Sequence, residues 1–334
     1  MYTKTELKNR ILSTPLLRRA SFLALNTPLI VDNPVYRHIY QKQVNRVIEA
    51  YSEVPQYVIL EVTNTCNLRC PNCPNKDMRR KRGFMESGVY EKVINECVAL
   101  GVDRVYLTGG EPTLHSLLTE LVTYAKVHGV KSLALITNAQ CLTPRLSKRL
   151  VEAGLDILDV SIDAATPETY SKMRPPSSLE VIEENLKALI NLKIRTKTLK
   201  PLVTVKFIKE PANANEVGLF RRKWKNLADE ILISFLHNWG GVIDKRESGW
   251  RGGSKRYPCS WIFREMYICW DGRVSFCCLD NEAETILGDM REMSIKEVWG
   301  SPKLKAVRQV HLDGDFGKIP LCDKCSFRDL WWLY

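Results

Sequence analysis

Six short apolar runs, alternating with amphipathic segments, limit what this chain can fold into more than any other feature. The runs are "YVILEV" (57–62), "RVYLTG" (104–109), "SLALIT" (132–137), "DILDVSI" (156–162), "LVTVKF" (202–207) and "ILISFL" (231–236). Each is of strand length and rich in β-branched residues. Helix-period segments lie between them near 87–100, 114–128, 143–153, 178–192 and 214–227. Repeated βα units imply a parallel sheet, and continuous apolar runs suit strands buried on both faces. Six such units predict an open or partial barrel, with its site in the loops at the C-terminal ends of the strands.

Four polar motifs fall on that rim. "CNLRCPNC" (66–73) follows the first run, "TGGEP" (108–112) the second, "TNAQC" (137–141) the third and "SIDA" (161–164) the fourth. With 334 residues and 45% hydrophobic content the chain can bury a full core, and its apolar runs are far too short to span a membrane. The N-terminus "MYTKTELKNR" has no signal-peptide layout, so a cytoplasmic protein is expected. Thiols stay reduced there, and eleven cysteines then argue for metal or redox-cofactor ligation over disulfides. The net charge of +11 is spread out, with a local cluster at "RRKR" (79–82), and reads as solvated surface; no nucleic-acid-binding motif accompanies it.

Three cysteines spaced C-x3-C-x2-C do not suit structural zinc, which is closed by four ligands. A three-thiol zinc site would need a further ligand, and Glu61 is the one obvious candidate. On a cubane iron–sulfur cluster, three thiolates leave one iron open to a small molecule.

"CNLRCPNC", "GGEPTLH", "SIDAATPETYSKMR" and "DGRVSFCCLD", in that order, make residues 56–334 resemble the radical S-adenosylmethionine (SAM) superfamily, specifically members with a C-terminal SPASM or Twitch extension. The resemblance implies an α/β fold: a partial (β/α)6 TIM-like barrel followed by a small iron–sulfur domain. It implies that Cys66, Cys70 and Cys73 hold a [4Fe–4S] cluster whose fourth iron chelates SAM. Reductive cleavage of SAM then yields a 5′-deoxyadenosyl radical that takes a hydrogen atom from the substrate. By the same resemblance Gly109 and Gly110 let the backbone approach SAM, Glu111 faces its amino group, Ser161 and Arg174 contact its carboxylate and ribose region, and Asn138 meets the cofactor from the third loop. Asn72 departs from the family, where the residue before the third cysteine is often aromatic and stacks near adenine.

The chain changes character after the sixth run. Residues 240–258 read as a linker, and "YICWDGRVSFC" as a hairpin turning at Asp271-Gly272. The expected division is a helical extension (1–55), the core (56–239), the linker (240–258) and a cluster domain (259–334). Cys259, Cys277, Cys322 and Cys325, spaced C-x17-C-x44-C-x2-C, resemble the Twitch arrangement holding one auxiliary [4Fe–4S] cluster; four-thiolate zinc is compatible with the same spacing. Adjacent residues on a strand face opposite ways, so only one of Cys277 and Cys278 should reach that cluster, and the resemblance selects Cys277. Cys97 reads as a buried small hydrophobe.

The Twitch resemblance implies a polyhydroxylated small-molecule substrate such as a sugar, nucleotide sugar or aminocyclitol, oxidised or epimerised in a biosynthetic pathway. A flavodoxin or ferredoxin would donate electrons. Were the outcome epimerisation, Cys141 and Cys278 are the candidate hydrogen-atom donors. The alternatives are a peptide-modifying maturase and a non-catalytic zinc or iron–sulfur RNA-binding protein. The basic, amphipathic "LKNRILSTPLLRRASFLAL" (7–25) could touch a membrane surface weakly or pack as a helix across the barrel.

Overall fold

The computed structural model describes residues 34–243 and 258–326. Six parallel strands occupy the expected places: β1 (Tyr57–Thr63), β2 (Arg104–Gly109), β3 (Leu133–Thr137), β4 (Ile157–Ser161), β5 (Leu202–Lys209) and β6 (Glu230–Phe235). An initial helix, α1 (Pro34–Ala50), precedes them. Helices α2 (Ser87–Ala99), α3 (Leu118–Val127), α4 (Pro144–Glu152), α5 (Pro167–Met173), α6 (Leu179–Thr196) and α7 (Val217–Trp224) connect the strands. Local chemistry marks their starts: Thr143 and Ser178 accept from Leu146 N and Val181 N, capping α4 and α6.

The hairpin also forms. Strand β7 (Glu265–Ile268) pairs antiparallel with β8 (Arg273–Ser275), which pairs with β9 (Ile286–Asp289). Unforeseen from sequence, β7 lies parallel to β1, giving one nine-stranded sheet of order β6-β5-β4-β3-β2-β1-β7-β8-β9. The C-terminal region therefore extends the barrel sheet from its β1 edge. Helices α8 (Ile295–Trp299), α9 (Pro302–Asp313) and α10 (Pro320–Lys324) complete it. The basic segment 7–25 lies outside the described residues. No described helix is long and apolar enough to cross a membrane.

Alternation along the strands separates two surfaces. Val58, Leu60, Val62, Val105, Leu107, Leu158, Val160, Val203 and Val205 join one apolar core with helix residues such as Tyr90, Ile94, Leu186 and Trp224. The opposite, interior face carries Tyr57, Glu61, Arg104, Tyr106, Asp159, Thr204, Lys206, Glu265 and Tyr267 together with the apolar Ile59, Ala134, Ile136 and Ile157, and several of its polar groups pair with one another. Lys206 bonds Asp159 at 2.6 Å, and Arg104 Nη1 donates to the Tyr106 hydroxyl at 3.1 Å. Cys97 sits in the apolar core, as its sequence position suggests.

Candidate active site and its two thiol groups

The loop after β1 carries Cys66, Cys70 and Cys73, and the structure gathers them near the motifs of the next three loops. Burial pushes the Cys66 thiol up to about 11, with Glu111, Cys70 and Cys73 near enough to add to the rise. Cys70 and Cys73 are also raised by burial, while the Arg174 guanidinium acts in the opposite sense on both. Arg174 is anchored to Asp163, and Arg69 N donates to Pro175 O at 2.6 Å, so the segment after α5 is tied to the thiol loop.

Glycine is required at 109 and 110 for a different reason from the one expected. A Cβ on Gly109, at φ +123°, would lie 2.1 Å from Thr63 O, and one on Gly110 would lie 2.2 Å from Thr65 O. The close approach is to the end of β1 itself, where Gly110 N and Glu111 N donate to Thr63 O and Thr65 O at 2.7 and 2.8 Å. Glu111 also departs from expectation. Its carboxylate, 1% exposed, accepts from Thr113 N and Oγ1, Thr137 Oγ1 and Asn138 N, so it is turned into the protein and not outward to a ligand. Burial raises its pKa, and those bonds act against the rise.

Asn138 Nδ2 donates to Asn67 Oδ1 at 2.8 Å, and Asn67 Nδ2 reaches Cys141 Sγ at 3.6 Å. Cys141 is thereby held beside the thiol loop. Ser161 ends β4 half-buried, opposite Lys206 in the register. Asn72 bonds Glu210 through its side chain, and its carbonyl accepts from Trp239 Nε1 at 3.0 Å.

Behind the loop stands a brace that sequence reasoning assigned to the surface. Within "RRKR", Arg80 makes a bidentate pair with Glu61, their side chains 7% and 2% exposed. Arg82 bonds Asn64 O and Asn75. Glu61 also accepts from Tyr267 Oη at 3.0 Å and Trp270 N at 3.2 Å, so it is fully engaged in joining β1 to β7 and is no metal ligand. Arg80 alone of this basic cluster is internal, because it neutralises and saturates a carboxylate that burial would otherwise leave unpaired.

The second thiol group lies at the other end of the hairpin. Cys259, Cys277, Cys322 and Cys325 line one cavity of about 380 Å³, whose remaining walls are apolar apart from His311. Burial holds the Cys259 thiol well above its ordinary range, and Cys277, Cys325 and Cys322 are near enough to contribute. Cys277 is raised too, first by its hydrogen bond with Cys278 and then by burial. Cys278 is absent from the lining of this cavity and lines a second one, of about 210 Å³, with Ile59, Glu265, Tyr267 and Cys277. The reason offered from sequence needs correcting, since both cysteines lie beyond the end of β8 and the chain's turn, not strand alternation, separates them. Within the second cavity burial pushes the Glu265 carboxyl up to about 8, partly offset by Arg264.

The loop after β6 joins the two groups. Asn238 accepts from Ser326 N at 2.8 Å and donates to Lys324 O at 2.7 Å. A Cβ on Gly240 would lie 2.2 Å from Leu321 Cδ1, so the described start of the expected linker is docked on α10. Trp239 packs with Leu279 and Cys325 while bonding Asn72. Sequence reasoning missed Arg80, Arg82, Asn238, Trp239 and His311, because none belongs to a spaced motif.

Among the described residues no three His, Cys, Asp or Glu side chains converge tightly enough for a single metal ion. Four thiols around one apolar-walled cavity suit a closed cluster.

Comparison with known proteins agrees. Residues 60–208 match the Radical SAM superfamily and residues 259–326 match SPASM, an iron–sulfur cluster-binding domain. A probable GTP 3′,8-cyclase of Methanococcus maripaludis is 30% identical over 134 residues, 40% of this chain and 45% of the relative. The chain thus spans about half the length of the first curated relatives it matches. The tungsten-containing aldehyde ferredoxin oxidoreductase cofactor-modifying protein of Pyrococcus furiosus is 28% identical over 317 residues, 82% of this chain and 88% of that protein. Among solved structures, BtrN in complex with AdoMet and 2-DOIA superposes with TM-score 0.57 at 19% identity, covering 82% and 93% of the two chains. Streptococcus suis SuiB bound to precursor peptide SuiA superposes with TM-score 0.65 at 14% identity, covering 91% and 79%. The chain carries a radical SAM domain and a SPASM iron–sulfur cluster-binding domain, and these domains imply [4Fe–4S] clusters and SAM as cofactors.

Proposed function

We propose that this chain is a radical SAM enzyme acting on a polyhydroxylated small molecule, a sugar, nucleotide sugar or aminocyclitol, which it oxidises at a carbinol carbon. Cys66, Cys70 and Cys73 would hold the SAM-binding cluster, and Cys259, Cys277, Cys322 and Cys325 one auxiliary cluster. When bound, the first cluster supplies the electron that splits SAM into methionine and a 5′-deoxyadenosyl radical.

The protein's own residues do the rest. Arg174 places positive charge at Cys70 and Cys73, favouring their thiolates. Glu111 and Asn138 fix the second and third loops against the thiol loop, so the pocket is shaped before any ligand arrives. Ser161 and Asn138 would face SAM from the end of the fourth strand and the loop after the third.

One observation carries the substrate reading: the barrel's interior face presents Tyr57, Arg104, Tyr106, Asp159, Thr204, Lys206 and Glu265 among the apolar Ile59, Ile136 and Ile157, a surface with several side chains suited to hydroxyl and amino groups. The relative named for GTP and the neighbour holding 2-DOIA support it. The peptide-bound neighbour supports the maturase alternative, which this polar interior favours less. Oxidation is preferred over epimerisation because the four-thiol cavity adjoins the second cavity through Cys277. Cys278, lining that second cavity, is the observation favouring epimerisation.

Anaerobic turnover in deuterated water against a panel of polyhydroxylated compounds tests this. A carbonyl product without carbon-bound solvent deuterium supports oxidation. Unchanged oxidation state with one carbon-bound deuterium, lost on Cys278→Ala or Cys141→Ala, replaces it with epimerisation. Hydrogen abstraction from peptides alone, or zinc-loaded colourless protein, overturns the reading.

A further inference from the structure

His311 lies in the last turn of α9 and is 1% exposed. Its two ring nitrogens meet two of the four thiol-bearing residues. Cys259 N donates to Nδ1 at 3.1 Å, and Nε2 stands 3.2 Å from Cys322 Sγ. Phe316 packs edge-on against the ring at 5.1 Å and holds its orientation. A nitrogen that accepts a backbone N–H has its lone pair engaged and carries no proton, so in the neutral ring the proton resides on Nε2. That N–H points at Cys322 Sγ.

We propose that His311 is a positioning residue of the auxiliary site, fixing Cys259 and Cys322 relative to each other and setting the reduction potential of the cluster they hold through the Nε2–H···Sγ bond. The proposal rests on the auxiliary-cluster reading above. Reduction adds negative charge that the cluster shares with its thiolate sulfurs, and an N–H donor stabilises the more negative state more strongly. The bond therefore raises the potential. An otherwise apolar wall leaves the sulfur in surroundings that oppose added charge, which makes this polar side chain in the lining count.

Three substitutions divide the role. His311→Gln carries an N–H to the place of Nε2, His311→Asn puts an acceptor near the place of Nδ1, and His311→Phe keeps the bulk and has neither. Each is made in the full chain with Cys66, Cys70 and Cys73 changed to Ala, so that the auxiliary cluster alone is read. EPR-monitored redox titration should show the Asn and Phe variants shifted to more negative potential, by about tenfold in the reduction equilibrium, which is about 59 mV for a one-electron couple. The Gln variant should stay close to the parent. Equal potentials in all four proteins overturn the proposal, as does a Gln variant shifted as far as Phe. If the Phe variant does not retain iron, the Gln and Asn pair decides: Asn matching the parent while Gln shifts refutes it. A parent that retains no iron overturns the auxiliary cluster itself, and iron retained without a shift overturns the role of His311 alone.

Discussion

Cys66, Cys70 and Cys73 sit on one continuous loop braced from behind by polar side chains, whereas Cys259, Cys277, Cys322 and Cys325 come from three separate segments and close around an apolar cavity. The first group is local: eight residues contain all its thiols, and the protein's task is to hold the loop's back while its front stays open. Glu61, Arg80, Arg82 and Asn64 perform that task through ion pairing and hydrogen bonds. The second group exists only after the hairpin, α9 and α10 have packed, and His311, Asn238 and Gly240 hold those pieces in place. An open site can be written into a short motif, but a closed one requires the chain to return to itself.

The largest expected effect tests whether the two groups are separable. Replacing Cys66, Cys70 and Cys73 with Ala should abolish 5′-deoxyadenosine formation altogether while the protein keeps about half its iron. Reductive SAM cleavage by that variant would break the comparison. Next, two cubane clusters mean about eight irons per chain. Cys277→Ala should lower this to about four and Cys278→Ala should leave it nearly unchanged, and equal losses would show that the two cavities do not divide these thiols.

The brace gives the third prediction. Arg80→Met leaves the Glu61 carboxylate buried without its ion-pair partner, and should cost about 3–5 kcal/mol of stability in chemical denaturation. Arg79, its exposed neighbour, pairs with Glu282 and Glu284 at the surface, and Arg79→Met should cost less than about 1 kcal/mol. Similar losses from both would mean that Arg80 is no brace.

The last prediction concerns the second cavity. The Glu265 carboxyl, raised from 4.5 to about 8, keeps its proton in the folded protein where the unfolded chain has lost it. More protons bound in the folded state means that stability falls as pH rises between those values, by at most about 1.4 kcal/mol per pH unit. Glu265→Gln should flatten this dependence, and an unchanged slope would place the carboxyl in water.

Much of the barrel was legible because its signals are local. Strand-length apolar runs and helix periodicity located β1 to β6 and their connecting helices apart from the short α5, and Asp271-Gly272 marked the turn of the β7–β8 hairpin. The pairing of β7 with β1 was not legible, since parallel partners of distant sequence leave no mark in either strand. The roles of Gly109, Gly110 and Glu111 were read towards a ligand, when the geometry shows that the glycines admit the end of β1 and the carboxylate ties two loops together. His115 is structural, bonding Met85 O and Leu117 N.

The sequence by itself determined the βα order, the rim on which the motifs meet, and the spacing of both sets of cysteines, because side-chain periodicity and short-range spacing are properties of neighbouring residues. Only the tertiary structure decided that Arg80 within "RRKR" faces inward to Glu61, that Cys277 lines both cavities and Cys278 the second alone, and that His311 stands between Cys259 and Cys322. Each of these depends on which groups lose water together when distant segments pack, and a buried charge, thiol or imidazole takes its role from the partner it finds there.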